Sequence, residues 1–335
     1  MVARRRPACQ SQSWKSELAR AFTRPEELLS ALGIDHPLSA RARAAAAGYG
    51  LLVPRGFADL MEPGNLHDPL LRQVLPLGEE LWEHPAFRRD PVGDRCSLKA
   101  PGLLQKYEGR ALLLASGACA LHCRYCFRRH FPSGGENALG GGTTAALERL
   151  AASPDIGEII LSGGDPLLLD DRKLGNLLRR LATIPHLRRL RLHTRLPIVL
   201  PARITPALCG VLSGGRLTPV VVVHANHPRE LGREAGAALR RLRDAGIALL
   251  NQSVLLRGVN DQAEVLAQLS EALFEKGVLP YYLHLLDRVA GAVHFEVSEV
   301  EAVAIMDRLR TRLPGYLVPR LVREEVGRAY KTPVA

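Results

Sequence analysis

From about residue 106 onward, short apolar runs alternate with longer amphipathic ones. The short runs predict strands at 111–115, 158–161, 187–192, 220–223, 247–251 and 279–285. The longer ones predict helices at 143–152, 170–183, 205–212, 229–245, 262–276 and 298–312. Ser298 with Glu301 three residues on is a capping box at the start of the last helix. Six β/α units in series imply a parallel sheet wound in one direction. Six is two short of a closed eight-fold barrel, so the expected class is α/β, an open or partial barrel. Before residue 100 the pattern is helical and interrupted. Helices are predicted at 14–22, 25–32 and 38–47, with a helical turn at 70–74. Pro25 followed by Glu26 and Glu27 is a helix start, with Thr23 or Arg24 before it. The expected division is a helical region over 1–100 and a catalytic unit over 101–335.

Composition narrows the class. Hydrophobic residues make up 47% of the 335 residues and charged ones 24%, as in a globular protein with a sizeable core. No run of about 18 apolar residues suggests a membrane span. The first fifteen residues hold Arg4-Arg5-Arg6 but no apolar stretch, so no secretory signal is expected. Six cysteines, three of them within eight residues, do not make a disulfide framework. Cys9, Cys96 and Cys209 stand alone, and a reducing, cytoplasmic setting is expected. The net charge of +11 favours acidic partners. The basic residues are spread along the chain, however, and 5% aromatic content is low for a base-stacking platform. A nucleic-acid partner is therefore not expected.

The candidate chemistry lies after the predicted strands. The first is followed by Cys119-Ala-Leu-His-Cys123-Arg-Tyr-Cys126-Phe-Arg128-Arg129. Three thiolates at this spacing can hold three irons of a [4Fe–4S] cluster, leaving the fourth open to a small molecule. The second strand runs into Ser162-Gly163-Gly164-Asp165, a turn whose glycines permit close backbone approach to a ligand. Beside an open iron, this turn is a candidate cradle for the amino and carboxylate groups of S-adenosylmethionine, with Asp165 receiving the ammonium. His193-Thr194-Arg195, His224 to Pro228, Asn251-Gln252-Ser253, and then His284 and Asp287 end the other four. Six strands of six with such groups point to one site at one rim. No two of the histidines have the i, i+4 spacing of a zinc site on a helix, so hydrogen bonding is their expected role. Asn251 and Gln252 are read either as ligand contacts or as satisfied core amides.

Several motifs occur together and in order: Lys106-Tyr-Glu-Gly-Arg110, the cysteine loop with its two arginines, SGGDP, HTR, HANHP, NQSVLLRGVND and a final Lys331-Thr-Pro. Over about residues 50–335 the chain resembles the lysine 2,3-aminomutase family of radical S-adenosylmethionine enzymes. The resemblance implies a radical SAM partial (β/α)6 barrel of the TIM type. It implies an isomerase that moves the amino group of L-lysine from C2 to C3, with a [4Fe–4S] cluster, S-adenosylmethionine and pyridoxal 5′-phosphate. Cys119, Cys123 and Cys126 would ligate the cluster, and Ser162, Gly163, Gly164, Asp165, His193 and Gln252 would contact the cofactors. Lys331 would form the Schiff base with pyridoxal phosphate. Arg110 would grip the phosphate, with Lys106 where the family can have a second arginine. Arg128 would pair with the substrate carboxylate, and Asp287 with its ε-ammonium. Where long-branch members have a second aspartate, seven residues before the pyridoxal lysine, this chain has Glu324 with Glu325 beside it.

Only four residues follow Lys331, which resembles the short branch that supplies β-lysine for elongation factor P. That branch implies a functional link to the factor and its lysyl ligase, and an electron donor of flavodoxin or ferredoxin type. The competing readings are a free-standing metabolic amino acid 2,3-aminomutase, a radical enzyme acting on RNA, and an Fe–S carrier without catalysis. Asp287 argues for an amine-ended substrate over glutamate. An RNA enzyme would need no pyridoxal lysine, and a carrier would need no open iron.

Overall fold

The computed structural model describes residues 13–131 and 143–334. The Arg4-Arg5-Arg6 run and Cys9 lie outside the described residues.

The chain opens with α1 (Trp14–Leu18), α2 (Pro25–Ala31), α3 (Ala40–Gly48) and the single turns α4 (Arg55–Ala58) and α5 (Pro69–Arg72). Local chemistry sets these limits. α1 ends before the predicted 22 because the backbone of Phe22 pairs with that of Val53 at 2.8 and 2.9 Å. α3 starts at 40, not 38, because the Ser39 hydroxyl accepts from the Ala42 N–H at 3.0 Å and makes Ser39 the cap. α2 begins on Pro25 with Arg24 as an extended cap residue whose side chain makes no capping hydrogen bond.

Then come β1 (Leu98–Ala100), β2 (Leu103–Tyr107) and β3 (Arg110–Ser116). The alternating part follows: α6 (Thr143–Ala151), β4 (Glu158–Gly163), α7 (Asp171–Ala182), β5 (Arg189–Thr194), α8 (Leu196–Val199), α9 (Pro206–Ser213), β6 (Thr218–Val223), α10 (Arg233–Asp244), β7 (Ala248–Val254), α11 (Ala263–Glu275), β8 (Leu279–His284) and α12 (Glu299–Arg312). β9 (Arg320–Arg323) and β10 (Thr332–Pro333) close the chain. The capping box at Ser298 and Glu301 forms as read. α10 starts four residues later than predicted, since Pro228–Glu230 forms a tight turn of its own, capped by His227.

The ten strands lie in sequence order in one sheet. All six predicted strands are present and parallel, and β9 extends the parallel set beside β8. The antiparallel pieces were not predicted. β1 and β2 flank β3 at one edge, and β10 folds back on β9 at the other. Among the described residues the two edges do not pair, so this is an open α/β barrel. One continuous apolar cluster joins Leu28, Val53, Phe57 and Leu70 of the first hundred residues to Leu113, Ile159, Leu190 and Val221 of the strands. The early helices thus bury their apolar faces in the same core as the sheet.

Candidate active site

The strands place their alternate residues around a cavity of about 370 Å3. In β5, Leu190, Leu192 and Thr194 are buried, while Arg191 and His193 point into the cavity, as period two requires. The same alternation sorts the two amides of β7. Gln252 lines the cavity. Asn251 points the other way, accepting from the Ala225 N–H at 2.9 Å and donating to the Ala225 carbonyl at 3.1 Å, a satisfied core amide. Both lie inside β7 and not beyond its end, because the strand runs three residues past the prediction. The fifteen residues to which the resemblance gives a cofactor or substrate role all border this one cavity.

One wall is sulfur. Cys119, Cys123 and Cys126 all line the cavity. Burial pushes the Cys119 thiol well up, and the neighbouring Cys126 and Cys123 push it further. Burial, with help from Cys123, raises Cys126 to about 11. The thiols are therefore close enough to feel each other's charge. Among the described residues no three His, Cys, Asp or Glu groups converge on a point that would hold a single metal ion. Thiols spread over one wall suit a polynuclear cluster, in which each thiolate takes a different iron. The loop is clamped from behind. Arg124, between the second and third cysteines, is fully buried and binds Glu80 through Nε at 2.8 Å and Nη2 at 2.6 Å. Arg129 reaches the same carboxylate at 2.6 Å. Backbone bonds from His122 to the Leu52 carbonyl and from Arg124 to the Gln73 carbonyl, at 3.0 and 2.9 Å, fix its course.

The glycine turn approaches protein as well as cavity. A Cβ on Gly163 would lie 2.3 Å from the Ser116 carbonyl oxygen, and one on Gly164 would lie 2.0 Å from that of Ala118. Both glycines are thus required by the entry limb of the cysteine loop, whose carbonyls accept from Gly164 N–H and Asp165 N–H at 2.7 Å each. Asp165, expected to receive an ammonium, has its oxygens engaged elsewhere. They accept from the Thr194 hydroxyl at 2.8 and 2.9 Å, from Arg195 N–H at 2.8 Å and from Leu167 N–H at 3.0 Å. Burial lifts its carboxyl to about 6 even so. Its place is between the two loops, holding them together.

The other wall is a ladder of charges. Arg128 donates through Nε to Asp94 at 2.7 Å and through Nη1 to Ser162 at 3.1 Å. Asp94 also pairs with Lys106 at 2.7 Å, and Lys106 lies 3.6 Å from Glu324. Glu324 in turn pairs with Lys331 at 2.6 Å. The last contact follows from topology. Pairing of Thr332 with Arg323 makes a hairpin that brings Lys331 beside Glu324. Burial acts to raise Glu324, but Lys331, Tyr107 and Lys106 together outweigh it and hold the carboxyl below its ordinary value. Asp94 is held low in the same way, burial being outweighed by Arg128 and Lys106. Asp287 forms no such pair among the described residues, and burial raises it to about 7 against the opposing pull of Lys331.

Two features fit a phosphate and a pyridine ring. Arg110 stacks over the Tyr107 ring at 4.5 Å and makes no hydrogen bond or ion pair to the described residues, so its donors are free for an anion. His193 Nε2 and His284 Nε2 are buried without a partner, and burial holds both imidazoles well below the ordinary value. Lys106, read as a second phosphate contact, is instead committed to Asp94 and to the Val92 carbonyl at 2.8 Å.

Sequence reading missed Asp94, Arg191, Tyr281 and Tyr282, which also line the cavity. Arg191 and Tyr282 had a usable signal, their alternation with His193 in β5 and His284 in β8, whereas Tyr281, next to Tyr282, had none from alternation. Asp94 had none, since it lies outside the regular elements that carry periodicity.

The Radical SAM superfamily profile matches residues 113–269. The chain is 51% identical over 324 residues to the L-lysine 2,3-aminomutase of Escherichia coli (strain K12), covering 96% of this chain and 94% of the relative. The chain belongs to the lysine 2,3-aminomutase family. It is 45% identical to the L-lysine 2,3-aminomutase of Haemophilus influenzae over 96% of both chains. To that of Clostridium subterminale it is 36% identical over 280 residues, 83% of this chain and 67% of the relative. As a lysine 2,3-aminomutase family member it is a radical SAM isomerase working with a [4Fe–4S] cluster, S-adenosylmethionine and pyridoxal 5′-phosphate. The sulfur wall, the free Arg110 and Lys331 are groups of the kind those cofactors need.

Proposed function

We propose that the enzyme converts L-lysine to β-lysine, using the charged wall of the cavity to hold the substrate by both ends. The observation that carries this is the sharing of one cavity by the three thiols, Lys331, Arg128 and Asp287. When bound, the cluster and S-adenosylmethionine supply the radical that takes hydrogen from C3, and pyridoxal phosphate carries the amino group from C2 to C3. The chain's task is to bind, orient and exclude water.

Arg128 has Nε and Nη1 engaged by Asp94 and Ser162, which fixes the guanidinium and leaves Nη2 for the α-carboxylate. Asp287 receives the ε-ammonium, whose charge draws it to the carboxylate form. Lys331 is the covalent anchor of pyridoxal phosphate. It must be neutral to attack, and Glu324 Oε2 at 2.6 Å is the acceptor within reach of its Nζ proton. Once Lys331 is engaged with the cofactor and its proton has passed on to solvent, Glu324 keeps only Lys106, 3.6 Å away, and has an oxygen free to accept from the incoming substrate amine. Arg110 holds the phosphate. Cys119, Cys123 and Cys126 hold the cluster, with Ser162, Gly163 and Gly164 beside it. His193 and Gln252 present hydrogen-bonding groups to the cofactors.

The end-to-end match to the short relatives supports placing the enzyme in the branch that serves elongation factor P and its lysyl ligase. A flavodoxin or ferredoxin would supply the electron. Among the described residues no helix is long and apolar enough to cross a membrane. A cytoplasmic setting, with its reducing thiol pool, suits three free ligand cysteines.

The test is anaerobic reconstitution with iron, sulfide, pyridoxal phosphate and S-adenosylmethionine, followed by assay for β-lysine. β-Lysine from L-lysine is the expected product. Turnover of glutamate without turnover of lysine would overturn the reading.

A further inference from the structure

Behind the cysteine loop lies a buried polar cluster that the function above does not use. Arg195, the last residue of the HTR motif, is its centre and is 8% exposed. Its Nη1 donates to Cys123 Sγ at 2.8 Å and to the Tyr125 hydroxyl at 2.9 Å. Its Nη2 donates to Gln73 Oε1 at 2.7 Å and to Glu230 Oε2 at 3.0 Å. The Phe57 ring lies 5.6 Å from the guanidinium, so one side of it is apolar. A buried cation therefore makes a direct hydrogen bond to one of the three loop thiols.

We propose that Arg195 is a positioning residue that acts through Cys123, raising the reduction potential of the cluster so that a low-potential donor can deliver its electron. The proposal rests on Cys123 being a cluster ligand. Reduction adds one negative charge to the cluster. A fixed cation that donates to a ligand sulfur stabilises the reduced form more than the oxidised one, and more so where water is scarce. Glu230 opposes this only in part. Its carboxylate also accepts from Gln73 Nε2 at 2.9 Å and from Asn226 N–H and His227 N–H at 3.1 Å each. Its charge is thus spread over four partners, on the Nη2 side, while Nη1 faces the sulfur. Asp165 adds alignment, since it holds the Arg195 backbone N–H at 2.8 Å.

The test uses reconstituted full-length enzyme with iron counted per chain and the midpoint potential read by EPR-monitored titration. Arg195→Gln combined with Glu230→Gln removes both opposing charges, so no buried carboxylate is stranded. The double variant is expected to keep its iron and to shift to more negative potential by at least about 59 mV, a tenfold drop in the reduced fraction at a fixed potential. Arg195→Lys, which keeps the charge but not the planar fork, is expected to shift less. A full cluster at wild-type potential in the double variant would reduce Arg195 to a scaffold role and overturn the proposal. If the double variant holds no iron, Arg195→Gln alone decides in the same way: a negative shift supports the proposal and an unmoved potential overturns it. Undiminished iron and an unchanged EPR signal in Cys123→Ala would overturn the ligand assignment instead, so the two failures are distinct.

Discussion

Arg124 and Arg128 are four residues apart in one loop and belong to opposite sides of it. Arg124 is fully buried behind the thiols, its charge met by Glu80 and its remaining donors by the carbonyls of Tyr49, Gly50 and Ala45. Arg128 stands in front, inside the cavity, with Asp94 on one edge and an unused Nη2 on the other. The same contrast separates the two walls. Arg124, Arg129 and Glu80, behind the cysteine loop, satisfy each other away from any ligand and act as scaffold. Charges along the ladder from Arg128 to Lys331 satisfy each other in the space that ligands must enter. Their pairings can be exchanged for pairings with substrate. Removing a scaffold charge should therefore cost stability, and removing a ladder charge should cost function.

The largest effects fall on the groups that hold cofactors. Lys331→Ala should lower β-lysine formation on the order of 10⁴-fold, as loss of a covalent anchor does. The absorbance band of protein-linked pyridoxal phosphate should vanish with it, while unfolding in urea stays close to wild type. Cys126→Ala should lose iron and activity together. A Lys331→Ala protein that retained the absorbance band would break the comparison at its most consequential point.

The next effect separates the walls by stability. Glu80→Gln leaves Arg124 and Arg129 buried without a counter-charge and should cost about 3–5 kcal/mol in urea unfolding. Burial raises Glu80, but its bonds to Arg124 and Arg129 outweigh burial and hold the folded carboxyl below the ordinary 4.5. Its contribution is therefore complete above that value and lost as the pH falls through the lower folded value. Glu324→Gln, on the cavity side, should cost about 1 kcal/mol or less, because Lys331 and Lys106 remain partly open to water. Similar losses from the two variants would erase the distinction between scaffold and ladder.

A milder change tests the ladder directly. Arg128→Lys keeps the charge and loses the fork, so kcat/KM for L-lysine should fall about 30- to 1,000-fold, the worth of roughly 2–4 kcal/mol. Iron content and pyridoxal absorbance should not change. A fall in iron with a normal KM would move Arg128 to the scaffold side.

The two walls also differ in how far the sequence reveals them. The six parallel strands and the thiol loop were legible because periodicity and spacing are local. Cys119, Cys123 and Cys126 fall within eight residues, and His193 continues the alternation of Leu190, Arg191 and Leu192. The hairpin of β9 and β10 was not legible. Its strands are four and two residues long, and Arg320 and Arg323 flank only two buried side chains, so no period can be counted. Yet that hairpin delivers Lys331 to Glu324. Without it, the lysine could be placed only by resemblance. Gly163, Gly164 and Asp165 were legible as a site motif, but what they touch was not. The backbone of Ser116 and Ala118 reaches them through a parallel crossover, which no local pattern encodes.

The smallest expected effect is a pH profile, and it probes Asp287, which forms no ion pair among the described residues. Burial raises Asp287 to about 7, whereas Glu324 and Asp94 are held low by their partners. Binding of the ε-ammonium requires Asp287 as carboxylate. Below its raised value the group is protonated, and the substrate must displace that proton. kcat/KM for L-lysine should therefore fall up to about tenfold per unit as the pH drops below about 7, and level off above it. The same group works against folding when charged. Its raised value means the native state takes up a proton before the unfolded chain does, so its destabilising contribution is full above about 7 and fades as the pH falls towards 3.8. Activity and stability should thus move in opposite directions across that window. Asp287→Asn should flatten the kcat/KM profile near 7 at a much lower level. An unchanged inflection in Asp287→Asn would assign the titration to another group and leave the ammonium end of the cavity without its carboxylate.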